Sequence, residues 1–186
     1  MRGPRMPAVV LVAALTISTA ACSDDSSPED DAAQTASTVC ALLVHWSNDL
    51  TTSINGTSKA ITDADDPETA NGVLLDGYDE LISLAEGHVD EASDLDLPAI
   101  DERDRLKDEI RAGADKSIEE LQRGRDAAED LEPIGIDEQA GALGGAFNAV
   151  ESAKSVVEPK ISQYDDEVLQ QAFEDEPDCV HVIQPF

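Results

Sequence analysis

Residues 38–61 read TVCALLVHWSNDLTTSINGTSKAI and carry a helical pattern on which the rest of the fold depends. Their apolar side chains recur at steps of three and four residues, the spacing of one face of an α-helix. These side chains are Val39, Leu42, Leu43, Trp46, Leu50, Ile54 and Ile61. The pattern therefore predicts an amphipathic helix from about Thr35 to Ile61, with its apolar face turned towards a core.

Two further helices follow it along the chain. Asp66-Pro67-Glu68 combines a capping residue, a proline at the first helical position and an acid in the first turn, so it predicts a helix start. That second helix is expected to reach about Ala92 and to bury Leu75, Tyr78, Ile82, Ala85 and Val89. Pro98 is expected to open a third, which ends near Leu131 and buries Leu106, Ile110, Ala114, Ile118, Leu121, Ala128 and Leu131.

A fourth helix is predicted from Asp137, and its apolar series has the spacing of a bundle seam. The series comprises Ala140, Leu143, Phe147, Val150, Val157, Ile161, Tyr164, Val168 and Phe173. It keeps its phase across Pro159, which favours one helix kinked near Pro159 over two separate helices. The sequence thus predicts an all-α, antiparallel up-down-up-down four-helix bundle over residues 35–180, followed by a short tail, residues 181–186.

The N-terminus, Met1–Cys22, has the layout of a secretory signal. Arg2 and Arg5 precede an apolar run over residues 8–17, and small residues then lead to a cysteine. Thr19-Ala20-Ala21-Cys22 resembles the lipobox of bacterial lipoproteins, although Thr19 stands where that family prefers Leu. The alternatives are an uncleaved membrane helix, for which the run is about half the roughly 20 residues required, and a secretory peptide cut elsewhere.

The resemblance to lipoproteins implies a location and an anchor. In that family the signal peptide, here residues 1–21, is removed and the cysteine, here Cys22, is acylated, commonly with palmitate. The mature protein would then sit on the outer face of the cell membrane, held by about 0.8 kcal/mol per buried methylene of its acyl chains. The Ala- and Asp-rich composition is similar to that of lipoproteins from high-GC Gram-positive bacteria, the actinobacterial type.

The charge of the chain limits its partners. It carries 41 acidic residues against 12 Lys and Arg, a formal charge of −29, and loss of Arg2 and Arg5 makes the mature protein more negative still. Such a surface repels nucleic acid and anionic lipid headgroups. Residues 22–34 are rich in acids and lack periodicity, so they predict a lipidated cysteine followed by a flexible, acidic tether.

With Cys22 assigned to lipid, Cys40 and Cys179 remain, and two cysteines outside the cytoplasm usually pair. In the predicted bundle, the start of the first helix and the end of the fourth lie at the same pole, so the topology agrees with a Cys40–Cys179 disulfide. The competing interpretation is a pair of free thiols in redox or metal chemistry, for which a CxxC spacing is lacking.

The chain shows no strong catalytic or metal-binding motif. His45 and His181 are weak candidates for a metal pair, because a Cys40–Cys179 bridge would bring them to one pole beside several carboxylates. The Glu-x-x-His motif of di-iron bundles, calcium loops, phosphate loops and nucleophile elbows are not found. We therefore expect no cofactor and no enzymatic activity.

Two functions remain open from the sequence. The first is a non-catalytic, membrane-anchored lipoprotein whose bundle binds a protein or another component of the cell envelope. The alternative is a carrier of a small ligand or cation that uses a cavity between helices or the His45/His181 pole. An interior pocket would favour the carrier, and a filled core with an exposed apolar patch would favour the interaction protein.

Overall fold

The computed structural model describes residues 26–130, 135–149 and 164–179. These residues form six helices and no strand, which confirms the predicted all-α bundle. The helices are α1 (Pro28–Thr62), α2 (Pro67–Asp94), α3 (Arg103–Glu129), α4 (Ile136–Ala142), α5 (residues 144–149) and α6 (Glu167–Asp175).

The first helix starts earlier than the periodicity predicted. The backbone N–H of Asp30 donates to Ser27 Oγ (3.2 Å), and the Ser27 N–H donates to Asp30 Oδ2 (3.4 Å), so the two residues form a capping box. Pro28 occupies the first turn, and Ala32 is already buried. The tether predicted over residues 22–34 is therefore wrong from Pro28 onward.

The three long helices pack antiparallel in sequence order. Asp66 caps α2 as predicted, because its side chain accepts a hydrogen bond from the Thr69 N–H. Trp46 near the middle of α1 contacts Glu91 near the end of α2, whereas Thr57 near the end of α1 contacts Gly77 near the start of α2. These pairings require opposite helix directions.

The third helix begins at Arg103, five residues after the predicted start at Pro98. The intervening residues form a turn, in which the Ile100 N–H donates to the Pro98 carbonyl (2.9 Å). Arg125 Nε donates to Asp79 Oδ1 (2.6 Å) across the α2/α3 contact. The predicted apolar face of this helix is confirmed by the burial of Leu106, Ile110, Ala114, Leu121 and Ala128.

The predicted fourth helix is shorter and more broken than its apolar spacing indicated. It is interrupted at Leu143, between two glycine-containing segments, and the chain is not helical from Tyr164 to Asp166. Asp166 then caps a new helix, α6, by accepting from the Val168 and Leu169 N–H groups. Phe147, expected in the bundle seam, is instead 48% exposed. The predicted kink at Pro159 lies outside the described residues.

The disulfide fastens this last helix to the first. Cys40 and Cys179 are bonded with their Cα atoms 5.0 Å apart, which confirms the predicted pair. Residues along the whole of α6 line a groove with Glu29 and Ala33 in the first turns of α1, and Cys179, just after α6, is bonded to Cys40 two turns further along α1.

The core consists of two clusters of buried side chains, one towards each end of the bundle. The first surrounds the disulfide and includes Trp46, Leu106, Ile110, Tyr164, Leu169 and Phe173. The second lies towards the α1–α2 turn and includes Leu50, Ile54, Leu74, Tyr78, Leu81, Leu121 and Leu143. Side chains from α1, α2 and α3 contribute to both clusters.

Candidate functional site

The sequence-predicted site residues are not gathered into one site. Cys22 and His181 lie outside the described residues. The side chain of His45 is 55% exposed, and its Nε2 lies 3.5 Å from Asp49 Oδ2 one turn along α1. Among the residues that the structure describes, no group of three or more His, Cys, Asp or Glu side chains is placed to hold a metal ion.

The histidine that the structure does place in a defined environment is His88, which the sequence did not single out. Its ring stacks on Trp46 with centroids 4.8 Å apart and planes inclined by 12°. Trp46 Nε1 donates to Glu91 Oε2 (2.7 Å), so the indole is fixed on both its face and its edge. The core position predicted for Trp46 is confirmed, because the residue is 3% exposed.

Burial decides the charge of this histidine. It lowers the pKa of His88 below the ordinary value for an imidazole, while the nearby carboxylates of Glu91 and Asp49 oppose the shift and His45 reinforces it. His88 is therefore neutral at pH 7. The stack is an uncharged contact that joins α1 to α2.

We expect this contact to make stability depend on pH. In the unfolded chain His88 binds a proton at about pH 6.5, but in the folded protein it resists protonation. The unfolded state thus takes up more protons as the pH falls below about 6.5, and the free energy of unfolding decreases in that range. Urea denaturation followed by circular dichroism from pH 7.5 to pH 5.5 measures the effect. Replacing His88 by Phe should flatten the dependence.

The control for this prediction is the same replacement at His45. Because that side chain is exposed, His45→Phe should leave most of the pH dependence in place. An unchanged dependence in His88→Phe would show that other groups cause it.

A second buried polar cluster holds the turn before α6. The hydroxyl of Tyr164 donates to Glu109 Oε2 (2.6 Å), and Arg105 donates to the other carboxylate oxygen (3.2 Å) while its guanidinium lies 4.7 Å from the Tyr164 ring centre. Burial and the bond to Glu109 raise the pKa of Tyr164 far above that of a free phenol. The phenol therefore remains a hydrogen-bond donor, and the cluster attaches the non-helical residues before α6 to α3.

A largely apolar groove of about 520 Å³ lies between α1 and α6 and is open to solvent. We call it the α1/α6 groove. It is lined by Glu29, Ala33, Glu167, Val168, Gln171, Ala172, Asp175 and Glu176. Sequence reasoning missed it, because residues 29–33 were taken as tether. The capping box at Ser27 was the signal that could have revealed it.

The groove depends on local features of both helices. Pro28 and the capping box start α1 early enough to supply one wall. Asp166 starts α6 and sets its first turn, where Val168 is 39% exposed. On the opposite face of α6, Leu169 and Phe173 are buried in the core. Because one face of α6 is packed into the core, the residues on its other face are held in fixed positions along the groove.

Comparison of the chain with known protein families, with curated proteins and with solved structures finds no match. Within the described residues, no helix has both the length and the hydropathy needed to cross a bilayer.

Proposed function

We propose that this protein is a non-catalytic lipoprotein, anchored through Cys22 on the outer face of the cell membrane, whose helical bundle binds a partner. The lipobox-like sequence before Cys22 supports the anchor. The Cys40–Cys179 bridge supports an oxidising location outside the cytoplasm, because such bonds rarely persist inside it.

The observation that carries the binding role is the α1/α6 groove above a filled core. The groove exposes apolar side chains on two rigid helices, whereas the residues beneath it, such as Leu169 and Phe173, are fully packed. A concave surface that combines apolar side chains with polar groups on rigid elements is a common form of binding site. The alternative cation carrier has less support, because the His45 side chain is 55% exposed and its Nε2 lies 3.5 Å from Asp49 Oδ2 on the same helix.

The anchor can be tested by comparing the full chain with its Cys22→Ser variant in a Gram-positive host that processes lipoproteins. Wild-type protein should partition into the detergent phase of a nonionic detergent, and mass spectrometry should find acyl chains on Cys22, the new N-terminal residue. Cys22→Ser should remain in the aqueous phase, because it cannot be acylated. Because the described bundle uses only Cys40 and Cys179 for its bridge, the variant should keep the wild-type circular dichroism spectrum.

The matched control is Thr19→Leu, which restores the residue that the lipobox prefers and should partition as wild type does. Aqueous partition of the wild-type protein, with no acyl mass, would refute the anchor.

A further inference from the structure

The residues that line the α1/α6 groove fall into two chemical groups. Ala33, Val168 and Ala172 are apolar, with Val168 the largest, and we call these three the floor. Glu29 on α1, and Glu167, Asp175 and Glu176 on and just after α6, are acidic, and we call these four the rim. Small side chains on the floor leave room for the larger side chains of an occupant.

The rim decides the charge of that occupant. Four of the eight residues lining the groove are carboxylates, and none of the eight is Lys or Arg. Carboxylates beside an apolar surface repel acidic peptides and anionic headgroups, and they attract cations that flank an apolar stripe. A helix with one apolar face flanked by Lys or Arg has this arrangement.

The position of the groove limits where the occupant lies, and this step rests on the proposed lipid anchor. The first turn of α1 begins at Pro28, so only residues 23–27 separate the bundle from Cys22. Six extended residue steps span at most about 20 Å. Since Glu29 and Ala33 belong to the first two turns of α1, the groove would lie close to the membrane surface.

We propose that the α1/α6 groove binds a cationic amphipathic helix of a partner protein at the outer membrane–water boundary. The apolar face of that helix packs on Ala33, Val168 and Ala172, and its basic side chains pair with the carboxylates of the rim. The apolar contact sets the register, and the charges increase the rate of association and make it sensitive to salt.

The test uses the full, processed chain in an uncharged detergent and a synthetic peptide about five helical turns long. The peptide carries Leu at positions i, i+3, i+4 and i+7 and Lys on the flanking positions. Fluorescence anisotropy of the labelled peptide measures the dissociation constant at low and at physiological salt. Binding should weaken with salt. A peptide of the same composition, with its Leu residues scattered around the helix, should bind at least about tenfold more weakly, since it lacks an apolar face.

A pair of variants separates the groove from the overall charge. Ala33 and Ala60 are both exposed positions of α1, but only Ala33 lines the groove. Ala33→Arg puts a large cation on the floor and should weaken peptide binding about tenfold or more. Ala60→Arg makes the same change of charge on the same helix and should change the affinity less than about twofold.

Four results would overturn the proposal. If Ala33→Arg and Ala60→Arg weakened peptide binding equally, the peptide would be attracted only by the overall negative charge of the protein. The same conclusion would follow if the scattered peptide bound as tightly as the amphipathic one. Binding that occurs only after removal of residues 180–186 would show that the chain's own tail occupies the groove. A dimer in sedimentation that Ala33→Arg dissociates would identify a second copy as the occupant. Failure of acylation at Cys22 leaves these binding results unaffected, so the anchor and the groove are tested separately.

Discussion

Replacing Cys40 and Cys179 together by alanine is expected to lower the free energy of unfolding by about 2–4 kcal/mol. The bridge joins residues 139 apart in sequence, so it removes many conformations from the unfolded chain. Loop-entropy reasoning allows up to about 5 kcal/mol for so long a loop, although measured gains are commonly smaller. Alanine is preferred to serine because both positions are buried, and a hydroxyl there would need a hydrogen-bond partner.

Urea denaturation of the full chain, followed by circular dichroism, measures this loss. Wild-type protein treated with a reductant should match the double alanine variant, and Cys22→Ala should match the untreated wild type. An equal denaturation midpoint in the bridged and unbridged proteins would mean that the packing of Leu169 and Phe173 against the core holds α6 without the bond.

The second large effect is expected at Gly124, where α3 passes close to Tyr78. A Cβ atom on Gly124 would lie 2.7 Å from Cε1 and 2.8 Å from the hydroxyl oxygen of Tyr78. The ring cannot move aside easily, because Tyr78 is completely buried and donates to the Ala142 carbonyl (2.8 Å). Gly124→Ala should therefore lower the free energy of unfolding by about 1–3 kcal/mol, in the range of overpacked cores.

Gly87 in α2 provides the matched control, since a Cβ there would have no neighbour within 4 Å. Gly87→Ala should raise the free energy of unfolding, by at most about 1 kcal/mol, because alanine favours the helix over glycine. The same substitution should thus have opposite signs at the two sites in urea denaturation. Stabilisation by both would show that α3 and Tyr78 are further apart than the structure places them.

The parts of the fold that the sequence predicted have strong local signals. The α1 pattern from Val39 to Ile61, the Asp66-Pro67 start of α2 and the pairing of Cys40 with Cys179 all follow from the spacing and chemistry of a few residues. The early start of α1 was missed because the acids after Ser27 suggested disorder, although the same acids stabilise a first helical turn.

The core face of α2 shows what periodicity could not decide. The predicted face contained Leu75, Ile82 and Val89, but the structure buries the preceding residue in each case: Leu74, Leu81 and His88. Neighbouring residues on a helix point about 100° apart. Where two adjacent residues are both apolar, packing against the neighbouring helices decides which of them lies at the centre of the buried face. His88 is central because Trp46 lies opposite it.

The separation of α6 from the fourth helix was missed for a similar reason. The apolar spacing continued in phase through Tyr164 and Val168, but phase alone does not show that the backbone stays helical. Asp165 and Asp166 carry the better signal, because an acid there can cap a new helix. The α1/α6 groove depends on this new helix start, so it could not be predicted while α6 was interpreted as part of a longer helix.

The stack of Trp46 on His88 gives the protein an intrinsic optical reporter. Trp46 is the only tryptophan in the chain, so excitation near the red edge of indole absorption selects a single ring at the α1/α2 contact. Emission from that ring reports separation of these two helices, whereas ellipticity reports all of them. In a bundle that melts as one cooperative unit the two signals change together.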